Sequence, residues 1–254
     1  MAWYNEWFGE EYLKLYSHRD EPEAELHVDF VERHLGRPCR NDDGGDRGRC
    51  PRAVLDLACG AGRHTAALRR RGYRTLGIDL SLTLLARMRG LPKVAGDMRC
   101  LPFRPHSFDW VLNFFTSFGY FEQERENFRV LEEVVRILTP GGRFLIDIMN
   151  PATVLARLNP RETQDHDGRR VEIERWFDVE RKRINKRMVL HGLAGAPGEG
   201  ARTFRESVRL YLPDEVMIGL RWAGLEVDEI FGSFQGDLYA RDSERLILVG
   251  HKPA

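Results

Sequence analysis

Leu55-Asp56-Leu57-Ala58-Cys59-Gly60-Ala61-Gly62 decides how this chain folds. Ala53-Val-Leu-Asp-Leu57 is a short apolar run that gives way to small residues, and the pattern predicts a helix over 63–71 directly after them. Small residues between a strand and a helix let the backbone approach a ligand closely. The first helical turn adds unpaired N–H groups at the positive end of its dipole. A second short run, Thr75-Leu-Gly-Ile-Asp79, ends in a carboxylate that can accept hydrogen bonds from both hydroxyls of a ribose. The lesser alternative is that Asp79 merely caps the helix that Ser81 opens over 82–88.

The same texture continues outward. Val94-Ala95 is a weak third strand and 108–114 a fourth. A helix is expected over 122–138, with Phe128, Leu131, Val134 and Leu138 on one face, stopped by Thr139-Pro-Gly-Gly142 before a fifth strand over 143–149. A helix from Pro213 to about Ala223, closed by Gly224, precedes strands over 225–231 and 245–250. Short apolar strands alternating with amphipathic helices predict an α/β fold, a doubly wound, seven-stranded, mostly parallel sheet. Between these parts, Val171, Ile173, Phe177 and Val179 alternate, and 186–191 and 202–211 also read as strands, which predicts an antiparallel side sheet or lid.

The organisation follows. Residues 1–35 read as a helical N-terminal flap, with Asp20 as a cap, Pro22 in the first turn, and Leu26, Phe30, Val31 and Leu35 on one face. Residues 36–52, with Asn41-Asp-Asp-Gly-Gly-Asp, are a loop or linker. Residues 53–150 form the ligand-binding core, 151–212 the lid or side sheet, and 213–254 the last helix and two core strands.

The chain has 254 residues, 42% hydrophobic and 31% charged, which is a globular composition. Lys+Arg and Asp+Glu are both 39, so the basic excess that duplex nucleic acid demands is absent. The basic runs at 69–71 and 181–187 read as solvated faces. No run reaches the roughly 18 apolar residues of a membrane span. The acidic, aromatic N-terminus has no basic segment followed by an apolar one and is not a signal peptide, so a reducing cytoplasm and free thiols are expected. Cys39, Cys50, Cys59 and Cys100 form no C-x-x-C pair, and Cys39 and Cys50 lie close enough in sequence to bond.

Two ligand classes suit the glycine turn. A dinucleotide fingerprint would place a third glycine at position 65, where this chain has Thr65. Asp56, inside the strand, would repel a pyrophosphate yet could help hold an ammonium, which favours a zwitterionic nucleoside over a nicotinamide cofactor. Arg63 and His64, at the helix start, either face solvent or reach a cofactor carboxylate. Trp3, Tyr4, Trp7 and Phe8 read as staple and core, and the glutamates at 122, 124 and 126 as a solvated helix face.

Asp56-Leu-Ala-Cys-Gly-Ala-Gly62 resembles the first motif of the class I S-adenosylmethionine (SAM)-dependent methyltransferases, with Ala58 in place of the more usual glycine. The resemblance covers roughly 50–150 well. It implies that the backbone around Cys59, Gly60 and Gly62, with Arg63, meets the methionine part of SAM, and that Asp79, followed by Leu80, is the acidic ribose ligand. Gly96-Asp97-Met98 looks like the adenine-binding motif, and Asn113-Phe114-Phe115 like the strand end beside the sulfonium. A narrower likeness, carried by Gly62-Arg-His-Thr65, Ser117-Phe-Gly-Tyr-Phe121 and Arg209-Leu-Tyr211, is to bacterial small-molecule methyltransferases. In related sugar-amine and amino-acid N-methyltransferases an N-terminal segment folds over SAM, which makes Tyr12, Tyr16, His18 and Arg19 candidates here. Phe118, Tyr120 and Tyr211 are candidate acceptor-pocket walls, or core.

The expectation is therefore in-line methyl transfer from SAM to a small-molecule acceptor by a monomer or homodimer. No His/Asp pair or metal cluster stands out for activating a hydroxyl, which tilts the acceptor atom towards nitrogen. The alternatives are a nicotinamide-dependent oxidoreductase and a SAM-binding regulatory protein without turnover.

Overall fold

The computed structural model describes residues 2–16, 21–37, 53–192 and 200–254. His18, Arg19, Asp20, Cys39 and Cys50 lie outside them. Three helices, α1 (Trp3–Trp7), α2 (Glu10–Leu15) and α3 (Glu21–His34), precede β1 (Val54–Leu57), α4 (Arg63–Arg70), β2 (Thr75–Asp79), α5 (Leu82–Arg87) and β3 (Lys93–Ala95). Then come β4 (Phe108–Asn113), α6 (Glu124–Ile137), β5 (Leu138–Met149) and the short α7 (Pro151–Ala156). The strands β6 (Arg161–His166), β7 (Arg169–Asp178), β8 (Arg183–Leu190) and β9 (Arg202–Arg209) follow, and α8 (Pro213–Ala223), β10 (Glu226–Phe231) and β11 (Arg245–His251) close the chain.

Seven strands form one sheet in the order β10-β11-β5-β4-β1-β2-β3. Five pair in parallel, while β11 runs antiparallel between β5 and β10. The chain winds one way from β1 to β3 and the other way from β4, so the crevice between the carboxyl ends of β1 and β4 is the switch point at which such sheets bind ligands. All four residues of β1 are buried, as a strand covered by helices on both faces requires. Leu55 and Leu57 face α6 and α8, through Val130, Leu131, Val216 and Leu220. Val54 faces α3 and α4, through Val28, Val31, Ala67 and Leu68.

The expected side sheet is present as a separate four-stranded antiparallel sheet, β6-β7-β8-β9. Its inner face buries Val171, Ile173, Met188, Leu190 and Phe204 against Trp7 of α1, so the N-terminal helices complete its core. Several sequence readings change here. Val179 continues no strand: it sits exposed in the turn after β7. The strand β6, Arg161-Glu-Thr-Gln-Asp-His166, was not foreseen because it carries no apolar alternation. Arg183 does not belong to a solvated face: it is buried, and its guanidinium donates to the carbonyls of Gly119, Tyr120, Phe121 and Ser207, tying the side sheet to the segment after β4. The glutamates at the start of α6 are likewise partly engaged, Glu126 by Arg99 and Glu124 by the Tyr211 hydroxyl. No helix among the described residues is long and apolar enough to cross a membrane.

Candidate active site

The turn after β1 is built from left-handed backbone. Ala58, Gly60 and Gly62 have φ of 59°, 56° and 82°. Ala58, the departure from glycine, thus occupies a conformation that costs a residue with a Cβ about 1 kcal/mol. A Cβ on Gly62 would meet Met88 at 2.5 Å, so close packing of α4 against α5 requires glycine there. The Gly60 amide donates to Asp79 Oδ2 at 2.8 Å, and the Ser81 amide donates to Oδ1 at 2.8 Å. Asp79 therefore joins the two loops and also supports the α5 start, where the Ser81 hydroxyl accepts from Leu84 N–H and donates to the Phe8 carbonyl. Burial pushes the Asp79 carboxyl up, and the amide hydrogen bonds oppose it.

Asp56 is fully enclosed, and burial pushes it up to about 6 although the Thr65 hydroxyl donates to it at 2.6 Å. The residue that replaces the third fingerprint glycine thus has a specific use. Cys59 packs its sulfur against Met88, and burial pushes its thiol well up, so it is no nucleophile. For Asp97, burial alone would raise the carboxyl, but hydrogen bonds from the Arg99 guanidinium and backbone outweigh it and hold the group below its usual range. Arg99 also reaches Glu126 at 2.6 Å and lies over the Phe121 ring.

These groups line a cavity of about 880 Å³ at the switch point. Of the residues singled out from sequence, Asp56, Ala58, Cys59, Gly60, Arg63, Asp79, Leu80, Asp97, Met98, Phe114, Tyr16 and Tyr120 line it. Four do not. Gly62 caps α4 behind the turn. Asn113 is buried and donates to the Leu57 carbonyl, bracing β4 against β1. Phe118 and Tyr211 are buried in the core, their rings 5.0 Å apart. Of the four N-terminal aromatics, Trp7 is core, whereas Trp3, Tyr4 and Phe8 form part of the cavity wall.

His64, left open by the sequence, is buried and lines the cavity. Its ring stacks on Phe114 at 4.2 Å, and its Nε2 lies 2.8 Å from His27 Nδ1, so one imidazole N–H donates to the other ring. Burial, with the nearby arginine charges, pushes both histidines down, His27 to about 3. Arg63 pairs with Glu23 of α3 and lies over the Phe115 ring.

Past β4, Phe115 and Thr116 adopt φ of 66° and 60°, two consecutive strained residues at the cavity edge. Asp147, with no solvent exposure, holds them: the Phe115 amide donates to its Oδ2 at 2.7 Å, and Arg245 Nε donates to its Oδ1 at 2.7 Å. Arg245 also donates to the Thr116 hydroxyl. Sequence reasoning missed this pair. The signal was present in Phe144-Leu-Ile-Asp-Ile-Met149, where a charge inside an apolar strand demands a partner. Glu206, which reaches the cavity from β9, was missed too.

A doubly wound sheet with a glycine turn, a carboxylate ending the second strand and a cavity at the switch point defines a nucleoside-binding α/β protein. Comparison with known proteins narrows the class. Residues 55–146 match the family described as "Methyltransferase domain". The chain is 30% identical over 200 residues to the dTDP-3-amino-3,4,6-trideoxy-alpha-D-glucopyranose N,N-dimethyltransferase of Streptomyces venezuelae, covering 75% of this chain and 83% of that protein. It is 28% identical over 207 residues to the cypemycin N-terminal methyltransferase of a Streptomyces species, covering 78% and 82%. An S-adenosylmethionine-dependent methyltransferase of Clostridium acetobutylicum has the same fold, with a TM-score of 0.75 at 18% identity over 96% of both chains. The chain belongs to the SAM-dependent methyltransferases, and SAM is its cofactor. The nicotinamide alternative falls with that assignment.

Proposed function

We propose that this methyltransferase moves the methyl group of SAM to the nitrogen of a small-molecule amine. Bound SAM supplies a methyl group on a sulfonium whose sulfur is already a good leaving group. The chain's residues therefore have to place the acceptor in line and keep water out. The observation that carries the nitrogen reading is His64. The histidine of the cavity wall is committed to His27 and held a weak base by burial, so it is poorly suited to take a proton from a hydroxyl. A neutral amine needs no such base. One of the two curated relatives named above is an N,N-dimethyltransferase of an amino sugar by name, and the other methylates an N-terminus by name, which supports the same reading.

In this reading Asp79 holds the ribose, with Leu80 beside it. Asp97 and Met98 hold the adenine, Asp97 pre-set by Arg99. The turn 58–61, Asp56 and Arg63 receive the methionine part, with Gly62 holding α4 behind them. Tyr16 and the helices α1 and α2 act as a flap, residues 151–212 as a lid, and Tyr120 as an acceptor wall. The enzyme acts in the cytoplasm as a monomer or homodimer on a small molecule, and its balanced charge argues against nucleic acid as substrate.

Calorimetry with SAM and S-adenosylhomocysteine tests the cofactor half. Asp79→Ala should weaken both by about ten- to a hundredfold, the range of hydrogen bonds to a charged group. Undiminished binding would remove Asp79 from the site. A screen of small amines against matched alcohols for S-adenosylhomocysteine release tests the acceptor half, and turnover confined to hydroxyl acceptors would overturn the nitrogen reading.

A further inference from the structure

Glu206 stands where a sheet normally places an apolar residue. Along β9 the inward positions are Phe204, Glu206 and Val208; the two neighbours are buried, and Phe204 packs on Trp7. The Glu206 side chain is 23% exposed, and its closest cation is Lys186 on the paired strand, Nζ 3.8 Å from Oε1. Lys186 makes its short hydrogen bond elsewhere, to the Tyr16 hydroxyl at 2.5 Å. Among the described residues no donor lies within hydrogen-bond distance of the Glu206 carboxylate. The other carboxylates around the enclosed part of the cavity are engaged: Asp56 by Thr65, Asp79 by two amides, Asp97 by Arg99. The Glu206 carboxylate, 3.8 Å from its ion-pair partner, therefore keeps acceptor capacity for a ligand that brings N–H donors.

The walls beside it are aromatic. Helix α1 packs against β9. Trp3 and Glu206 line both the main cavity and a second recess of about 520 Å³ on the side sheet. The Trp3 ring lies 4.9 Å from that of Tyr120 in an edge arrangement, and the Phe8 and Tyr120 rings are stacked at 5.7 Å. Aromatic faces with one carboxylate form a setting that favours a cation over a neutral group of the same shape.

We propose that Glu206 is the acceptor-binding carboxylate of this enzyme, accepting N–H hydrogen bonds from a cationic or hydrogen-bonded amine among Trp3, Phe8 and Tyr120. The proposal rests on the nitrogen reading above and adds the residue that selects the amine. An amine bound as the ammonium first gives one proton to solvent while its remaining N–H groups stay on Glu206; the lone pair so freed forms the new N–C bond while the S–C bond breaks with its electrons left on sulfur. The product ammonium keeps its proton, and Glu206 faces the positive charge that has arrived on nitrogen.

Benzylamine and benzyl alcohol, titrated calorimetrically into the S-adenosylhomocysteine-loaded protein, separate the outcomes. The parent chain should bind the amine about tenfold or more tighter than the alcohol, as a charge-assisted hydrogen bond supports. Glu206→Gln should abolish most of that preference and Glu206→Asp should restore part of it, with S-adenosylhomocysteine affinity unchanged in both. Glu206→Leu, which suits the apolar face of the strand, serves in place of the Gln variant should that fail to fold. Preference retained without the carboxylate overturns the role of Glu206 and leaves the nitrogen reading standing. Equal binding of the two probes by the parent chain, or binding of neither, overturns the proposal at its base.

Discussion

The crossover from β1 through α4 to β2 and the side sheet β6–β9 face each other across one cavity, and they are assembled differently. In the crossover the functional atoms are largely backbone. Left-handed residues at 58, 60 and 62 turn the chain, and the Gly60 amide meets Asp79 within one supersecondary unit. In the side sheet the contacts are made by side chains that meet only because distant segments pack: α1 on β9, Arg183 on the carbonyls of 119–121, Lys186 on Tyr16. A site of the first kind is specified by short-range geometry. One of the second kind depends on where two sheets come to rest.

The largest expected effect breaks this comparison at the seam. Asp147 and Arg245 hold the strained Phe115–Thr116 turn between the two halves. Asp147→Asn leaves the Arg245 charge without its buried partner, and a loss of about 3–5 kcal/mol is expected from urea unfolding. A loss under about 1 kcal/mol would mean that the turn holds itself.

A second test sharpens the contrast through pH. His27 and His64 are both pushed down from their ordinary value, His27 to about 3. Below about pH 6.5 the unfolded chain takes up protons that the folded protein does not, so each histidine lowers stability by about 1.4 kcal/mol per pH unit as the solution is acidified. Asp56, pushed up to about 6, works in the opposite sense from about pH 6 down to 4, because there the folded protein keeps a proton that the unfolded chain has released. Comparing the parent with His27→Gln isolates the histidine part. Between about pH 6 and 4.5 the variant's stability should fall less steeply, by roughly 1.4 kcal/mol per unit, in urea midpoints followed across pH. Parallel curves would show that His27 is charged in the folded protein.

The smallest effect lies on the outer face of the cofactor half. Arg71, at the end of α4, reaches Glu25 and Asp29 of α3 from a partly exposed position. Arg71→Ala should cost only about 0.5–1 kcal/mol in urea unfolding, since solvent screens such pairs. A much larger loss would show that the N-terminal helices are held by this charge network and not by Val28, Phe30 and Val31.

Much of this architecture was legible in the residues. Every expected core strand exists, β1 to β5 in the parallel part and β10 and β11 beyond it, because buried strands are written as apolar runs; Thr139-Pro-Gly-Gly142, read as the turn before the fifth strand, instead lies within β5, which begins at Leu138. Ser81 caps α5 as its position suggested, and Gly224 closes α8 in a left-handed conformation. The aromatic readings that changed share one cause. Phe118 and Tyr211 read as pocket wall or core and are core, whereas Trp3, Tyr4 and Phe8 looked like core and line the cavity. Aromatic residues read the same in either place, and only packing decides which face they present.

The sequence by itself determined a doubly wound sheet, the glycine turn after β1 and the carboxylate at Asp79 that ends β2. Each is a local matter of periodicity, small side chains and chain reversal within a few tens of residues. The tertiary structure alone decided which side chains meet on the far side of the cavity. Trp3, Phe115, Asp147, Glu206 and Arg245 come from five separate stretches, and the chemistry they can perform follows from the packing of the side sheet, the N-terminal helices and the parallel core around one cavity. No periodicity along the chain encodes that meeting.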